Sequence, residues 1–250
     1  MSQPVWAQAF PGGVADAELQ HALWRDGSGH LVALRLADGQ LLWRSAQPLV
    51  PLLLGHGLAL GLALAPARVV ALALAGNAAG DKRWCSDTLP WPDWALRLDA
   101  LPAATDLQAA WLDEDIALHW HLRPAYAGGA VPGPLRAKAV AATAAVGSCL
   151  LDAAAGTLRA APAGLDNGGP GPVAQEPCSD PGVIAQSVLG GVRYRLQQQP
   201  SRQAPPRQPS KAAGDTLHTA LVAHDLARGQ DLWQCALDAA PAKAPRALRP

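Results

Sequence analysis

The chain has 250 residues, enough to bury a sizeable core as one large all-β domain or two small ones. Its 20 basic and 20 acidic side chains cancel, so no overall charge would attract the protein to nucleic acid or to an anionic membrane surface. The four cysteines are widely spaced and contain no C-x-x-C pair, which argues against a zinc site.

The amino-terminal sequence MSQPVWAQAFPGG lacks the basic segment and apolar stretch of a secretory signal. We therefore expect a cytoplasmic protein with reduced cysteines. The periplasm is the alternative if a signal peptide is missing from this chain, and the four cysteines could then form two disulfides.

The first recognisable unit is HLVALRLADGQLLWR, residues 30–44. An apolar strand leads to a turn at Gly39, and a second strand carries Trp43 four residues after that glycine. Glycine supplies the positive φ that a tight hairpin needs. The pattern predicts a β-hairpin, with the tryptophan as a contact to a neighbouring repeat.

The next unit begins with LVPLLLGHGLALGLALAPARVVALALAG, residues 49–76, which has no formally charged residue before Arg68. Its length suits a membrane span, but from Leu58 to Ala65 large and small residues alternate with a period of two. We therefore predict three short buried strands and no membrane span. The unit ends as the first one does, with Gly80 and Trp84 and four extra residues in the turn.

Aromatic and histidine residues follow in the middle of the chain. Trp91 and Trp94 lie in a proline-bounded loop. They could form a lid over a strand end or a contact patch for a partner, and we favour the lid. His119 and His121 share one face of a predicted strand, which is a workable spacing for metal ligands. The acidic residues 113–115 precede them. A solvated turn is the preferred interpretation, because spacing fixes no third ligand.

Two further units complete the repeat. The third, SCLLDAAAGTLRA, has Asp152 and Gly156 but carries Ala160 in place of the tryptophan. The fourth, TALVAHDLARGQDLWQ, carries the aspartate, glycine and tryptophan of the repeat as Asp225, Gly229 and Trp233. Each aspartate can hydrogen-bond the backbone amides of its turn.

Two inserts, 123–138 and 197–215, fall between the second and third strands of the last two units. The second insert is polar and proline-rich. Its Arg202 and Arg207 belong to a basic run that could contact an anionic partner, although a solvated loop is the default and nucleic acid is not predicted. Both inserts should emerge at one end of the molecule, opposite the glycine turns.

The shared pattern A-L-x-x-x-x-G-x-x-x-W resembles the repeat of the pyrroloquinoline-quinone-like β-propellers. The resemblance implies an all-β, propeller-like array of four-stranded antiparallel blades within residues 1–240, at about 1–46, 47–90, 105–163 and 182–238, with a tail at 241–250. It also implies that each tryptophan docks on the next blade. The chain lacks the Cys–Cys pair found over the cofactor in quinoprotein dehydrogenases, so no cofactor is predicted.

These observations predict a non-enzymatic module that binds or scaffolds protein partners through its blade-end loops. The alternatives are a metal-binding or hydrolytic enzyme that uses His119 and His121, and a periplasmic propeller of the outer-membrane-assembly type. With four blades, a ring could close by itself, be completed by the amino-terminal strand in the last blade, or be completed by a homodimer.

Overall fold

The computed structural model describes residues 4–95, 106–122, 145–161, 180, 182–200 and 217–237. Over these ranges the chain is all-β, apart from a short 3-10 helix at Asp93–Ala95. The strands in chain order are β1 (Val5–Trp6), β2 (Gln8–Phe10), β3 (Gly13–Ala15), β4 (His21–Arg25), β5 (His30–Arg35), β6 (Leu41–Pro48), β7 (Val50–Gly55), β8 (Leu58–Leu64), β9 (Ala67–Ala73), β10 (Lys82–Cys85), β11 (Asp106–Leu112), β12 (Asp115–Leu122), β13 (Ala145–Asp152), β14 (Leu158–Ala160), β15 (Val183–Leu189), β16 (Val192–Pro200), β17 (Leu217–Asp225) and β18 (Gln230–Ala236).

These strands form four antiparallel sheets of four or five strands each. The first sheet has the order β2-β3-β4-β5-β6, and the second contains β7 to β10 in sequence. The third sheet has the order β1-β11-β12-β13-β14, and the fourth contains β15 to β18 in sequence. Each sheet is thus a meander of consecutive strands, apart from β1.

The amino-terminal strand does not complete the last sheet, which was one of the three ways expected to close a ring. Val5 and Trp6 pair with β11 of the third sheet, and two residues later β2 pairs with β3 of the first sheet. Only Ala7 separates the two pairings, so this short segment connects the edge of the third sheet to the edge of the first.

The long apolar stretch forms three strands, as its alternation predicts. Leu60 and Leu62 of β8 belong to an apolar cluster shared with the third sheet. The opposite, small-residue face looks toward the first sheet, where Leu31 and Leu49 fill the space beside Gly61. Within the residues that the structure describes, no helix is long and apolar enough to cross a membrane.

Among the described residues, three clusters of buried apolar residues lie between the sheets. One joins the fourth sheet to the first, one the first to the second, and one the second to the third. The sheets are therefore ordered fourth, first, second, third. Among the described residues, no such cluster joins the third sheet to the fourth.

The second predicted insert starts later than its composition suggests. Residues 197–200 continue β16 and pair with 217–220 of β17, because the longer ladder satisfies backbone groups that a loop would leave to water. The rest of this insert, 201–215, and the whole of 123–138 lie outside the described residues. Both fall between the second and third main strands of their sheets, as the sequence indicates.

Candidate functional site

Three tryptophans join neighbouring sheets in the same way. Each lies on the last strand of one sheet, and its indole Nε1 donates a hydrogen bond to a backbone carbonyl in the final turn of the next sheet. The bonds run from Trp233 to Leu36 at 2.8 Å, from Trp43 to Leu74 at 2.9 Å and from Trp84 to Ala153 at 2.7 Å.

The glycine of each turn makes room for the incoming ring. At Gly39 and Gly156 an added Cβ would lie 2.4 Å from Cε3 of the docked indole, and at Gly80 it would lie 3.3 Å from Trp43. The three glycines also have positive φ angles, of 69°, 72° and 85° respectively. We call each glycine turn, together with the carbonyl that accepts the indole N–H, a tryptophan socket.

Two of the four turns are capped by an aspartate. Oδ1 of Asp152 accepts hydrogen bonds from the amides two and three residues later, both at 2.9 Å. Oδ1 of Asp225 does the same at 2.9 and 3.1 Å. The turn at Gly229 is therefore held in the same way as the occupied turn at Gly156.

A β-bulge accompanies every docking tryptophan. The register of the ladder shifts immediately before Trp43, Trp84 and Trp233, so that each of them pairs with an alanine of the preceding strand. In the third sheet the ladder is regular: Ala160 pairs with Cys149, and Arg159 pairs with Leu150. The regular ladder turns Ala160 toward the second sheet, because Cys149 belongs to the cluster shared with that sheet. Arg159 thus takes the face that a tryptophan occupies elsewhere.

An open cleft of about 1170 Å³ lies between the second and third sheets, at the end that carries the glycine turns. The two inserts leave the sheets at the opposite end, and the sequence had predicted the binding site at that insert end. The walls of the cleft come from two turns and the last strand of each of these sheets, together with Trp111 of β11. The lining side chains that carry charge or an aromatic ring are His56, Arg83, Trp84, Trp111, Asp113, Glu114, Asp115, Asp152 and Arg159.

The aromatic wall of this cleft is held rigidly. Nε1 of Trp111 donates to the carbonyl of Leu54 at 2.8 Å, and the imidazole of His56 lies against the indole with ring centroids 4.5 Å apart. His56 has a φ of 49° between two glycines, so the sharp turn presents its ring to the third sheet. The wall therefore spans both sheets.

The charges of the cleft are unevenly matched, with four carboxylates against two guanidinium groups. Arg159 contacts the carboxylate of Asp115 and lies 3.8 Å from that of Asp152. Asp113 and Glu114 are exposed at the tip of the turn and form no ion pair with a described residue. The cleft thus offers free negative charge beside an aromatic surface.

The two histidines predicted as weak metal ligands share one face of β12. His119 pairs across the sheet with Gln108 and Ser148, and His121 pairs with Asp106 and Val146. Nδ1 of His119 is buried, and no described residue forms a hydrogen bond with it. In the part of the chain that the structure describes, no three His, Cys, Asp or Glu side chains are grouped to hold a metal.

The predicted contact residues separate into two groups. Trp91 is 4% exposed and lies 6.4 Å from the ring of Trp120, so it belongs to the core and not to a contact patch. It packs in the apolar cluster shared by the second and third sheets. The side chain of Trp94, and Arg202 and Arg207, lie outside the described residues.

Cysteine chemistry in the third sheet is suppressed by packing. Cys149 is 3% exposed in the cluster beside the second sheet, and burial raises the pKa of its thiol to about 12. Its sulfur therefore stays protonated at neutral pH, where a nucleophile would need to be a thiolate.

The sequence shows His56 between two glycines and the acidic residues 113–115 before β12, but nothing in it joins the two turns. They are more than fifty residues apart, and only the packing of the second sheet on the third brings them together. The available signal was the repeat itself, which places the first turn of every unit at the same end.

No model of a known protein family matches the sequence, and no curated protein matches it. The chain is similar to the crystal structure of BamB from Moraxella catarrhalis, with a TM-score of 0.31 and 14% sequence identity. The match covers 88% of this chain and 59% of BamB. At this level of similarity, neither an activity nor a partner of BamB can be assigned to this chain.

Proposed function

We propose that the protein is a non-enzymatic protein-binding module, and that the cleft between its second and third sheets receives a basic side chain of the partner. The observation that carries the proposal is an open volume of about 1170 Å³ that combines an aromatic wall with unpaired carboxylates. A guanidinium or ammonium group gains from both, through ion pairs and through a contact with the face of an aromatic ring.

The geometry favours recognition of a side chain that reaches into the cleft. Asp113 and Glu114 stand at its rim, while the ring of Trp111, 5% exposed, is fixed deeper by its bond to Leu54. Rigid walls lower the entropy lost on binding. A long basic side chain can place its charge at the rim carboxylates while its methylene groups contact the rings.

A charge-reversal pair tests this proposal. Glu114→Lys places a positive charge at the rim, and Glu18→Lys makes the same change at an exposed position of the first sheet. Binding of a fluorescein-labelled Arg-Gly repeat octapeptide is measured by anisotropy at physiological salt. We expect Glu114→Lys to weaken binding by about fivefold or more, since a close charge pair is worth roughly 1 kcal/mol, and Glu18→Lys to change it less than twofold. Equal effects of the two variants would show that the cleft is not the site.

A further inference from the structure

The turn at Gly229 is built as a fourth tryptophan socket. In all four turns the glycine N–H donates to the carbonyl that ends the preceding strand, at 2.7–2.9 Å. In all four, the residue after that carbonyl donates its own N–H to the nearest hairpin turn at the same end of the sheet, as Leu226 does to Gly191. In the three occupied sockets, the carbonyl of that residue accepts the indole bond. At the fourth turn the equivalent acceptor is the carbonyl of Leu226.

No side chain of the described residues fills this fourth socket. No heavy atom of the described residues lies within 4 Å of a Cβ built on Gly229, although its φ of 64° matches that of the occupied glycines. Leu226 is 41% exposed, whereas its counterpart Leu36, covered by a docked tryptophan, is 4% exposed. The difference marks a surface shaped for a ring that the neighbouring sheet does not supply.

Among the residues that the structure describes, no strand is suited to fill the socket. Trp43, Trp84 and Trp233 already occupy the other three sockets. The corresponding strand of the third sheet has no bulge and carries Arg159 on the relevant face, where it contacts Asp115. A second copy would bring the same strand, with the same arginine.

We propose that the Gly229 socket is a docking site for an edge β-strand of a different protein, one that carries an exposed tryptophan. The indole would lie over Gly229 with its N–H donating to the carbonyl of Leu226. The occupant follows from continuity with the established interfaces, since the same backbone geometry binds a tryptophan strand three times in this molecule. This site lies on another sheet from the cleft, so it stands independently of the function proposed above.

The face beside the socket adds to the chemistry expected of the partner. Val188 is 46% exposed and pairs with Arg193. The preceding residue, Ser187, pairs with Tyr194 of the cluster shared with the first sheet, so Val188 faces away from that sheet. A partner strand therefore needs an apolar side chain beside its tryptophan.

The probe is a fluorescein-labelled synthetic peptide of residues 228–236 carrying Cys235→Ser, RGQDLWQSA, which is the strand that fills the socket of the first sheet. Its control carries Trp233→Ala in addition. Anisotropy titrations against the full chain should saturate with the first peptide, and the control should bind at least about tenfold more weakly, since a docked tryptophan is a typical hot spot.

Protein variants locate the binding. Gly229→Asn keeps the left-handed conformation accessible while its side chain enters the socket. Gly191→Asn makes the same change in the first turn of the sheet, where φ is 79° and the space is also open. We expect about a tenfold loss for the first and less than twofold for the second. If Gly229→Asn does not fold, the exposed substitution Val188→Glu should give the same loss.

Four results would overturn the proposal. The first is equal binding of both peptides. The second is absence of saturation up to about 1 mM peptide, a concentration at which even weak specific contacts are seen. The third is equal affinity of the two asparagine variants. The fourth is self-association of the unmodified chain that Gly229→Asn abolishes, measured by light scattering after gel filtration, because the occupant would then be a second copy.

Discussion

At the scale of single residues, the docking tryptophans combine two kinds of stabilisation. Trp43 and Trp84 are 7% and 9% exposed, and each donates its indole N–H to a carbonyl of the next sheet. Truncation would remove a large apolar contact and leave that carbonyl without its donor. Trp233 makes the same bond with a less buried ring.

We therefore predict that Trp43→Ala and Trp84→Ala each lower the free energy of unfolding by about 3–5 kcal/mol, and that Trp233→Ala lowers it less. Urea denaturation measures all three. The control is Leu232→Ala, which truncates an exposed neighbour in β18 and should cost about 0.5 kcal/mol or less. Losses below about 1 kcal/mol for both buried tryptophans would mean that the sockets are not structural.

At the scale of elements, the β-bulge decides which side chain reaches the neighbouring sheet. One extra residue before the tryptophan inverts the alternation of the last strand. The bulge and the docking tryptophan occur together on the last strand of the first, second and fourth sheets, and neither is present on the last strand of the third. The socket contact is therefore a property of strand register as well as of residue type.

The strand ends at the second insert give an element-scale prediction. Deletion of 201–213 removes a polar, proline-rich sequence, and we expect the melting temperature to change by no more than a few degrees, about 1 kcal/mol or less. Deletion of 198–213 also removes three residues that pair with 217–219, so it should lower the melting temperature clearly further.

Differential scanning fluorimetry compares the two deletions. An equally large loss for both would mean that 201–213 contributes to the packed structure. Equal, negligible losses would mean that the outer pairs of β16 and β17 add little stability.

At the scale of the whole molecule, the order fourth, first, second, third gives the sheets unequal support. The first and second sheets each share apolar clusters with two neighbours, whereas the fourth shares one with the first sheet alone among the described residues. In arrays of this kind, stability is a sum over neighbouring interfaces. The fourth sheet should open at a lower free energy than the first.

Hydrogen exchange followed by mass spectrometry tests this expectation. Peptides from β16 and β17 should exchange faster than peptides from β4 and β5. Trp233→Ala should accelerate exchange in the fourth sheet and leave β8 within about twofold, because that substitution weakens only the interface with the first sheet. Uniform acceleration across the chain would indicate a single cooperative unit.

The sequence by itself determined the strands and the turns. The alternation in β8 identified a strand with two buried faces. The repeated spacing from Gly39 to Trp43 identified the hairpins whose tryptophans contact the next sheet. Both depend on interactions between residues close together in the chain, so local patterns are sufficient to reveal them.

Only the tertiary structure decided which surfaces meet. It paired Val5 and Trp6 with the third sheet, turned Ala160 toward the second sheet by omitting a bulge, and brought His56 to the acidic turn at Asp113. These features arise from contacts between residues far apart in sequence and from strand register, which a one-residue slip reverses. The empty socket at Gly229 belongs to the same class, because its sequence matches the occupied sockets and only the absence of a neighbouring indole among the described residues distinguishes it.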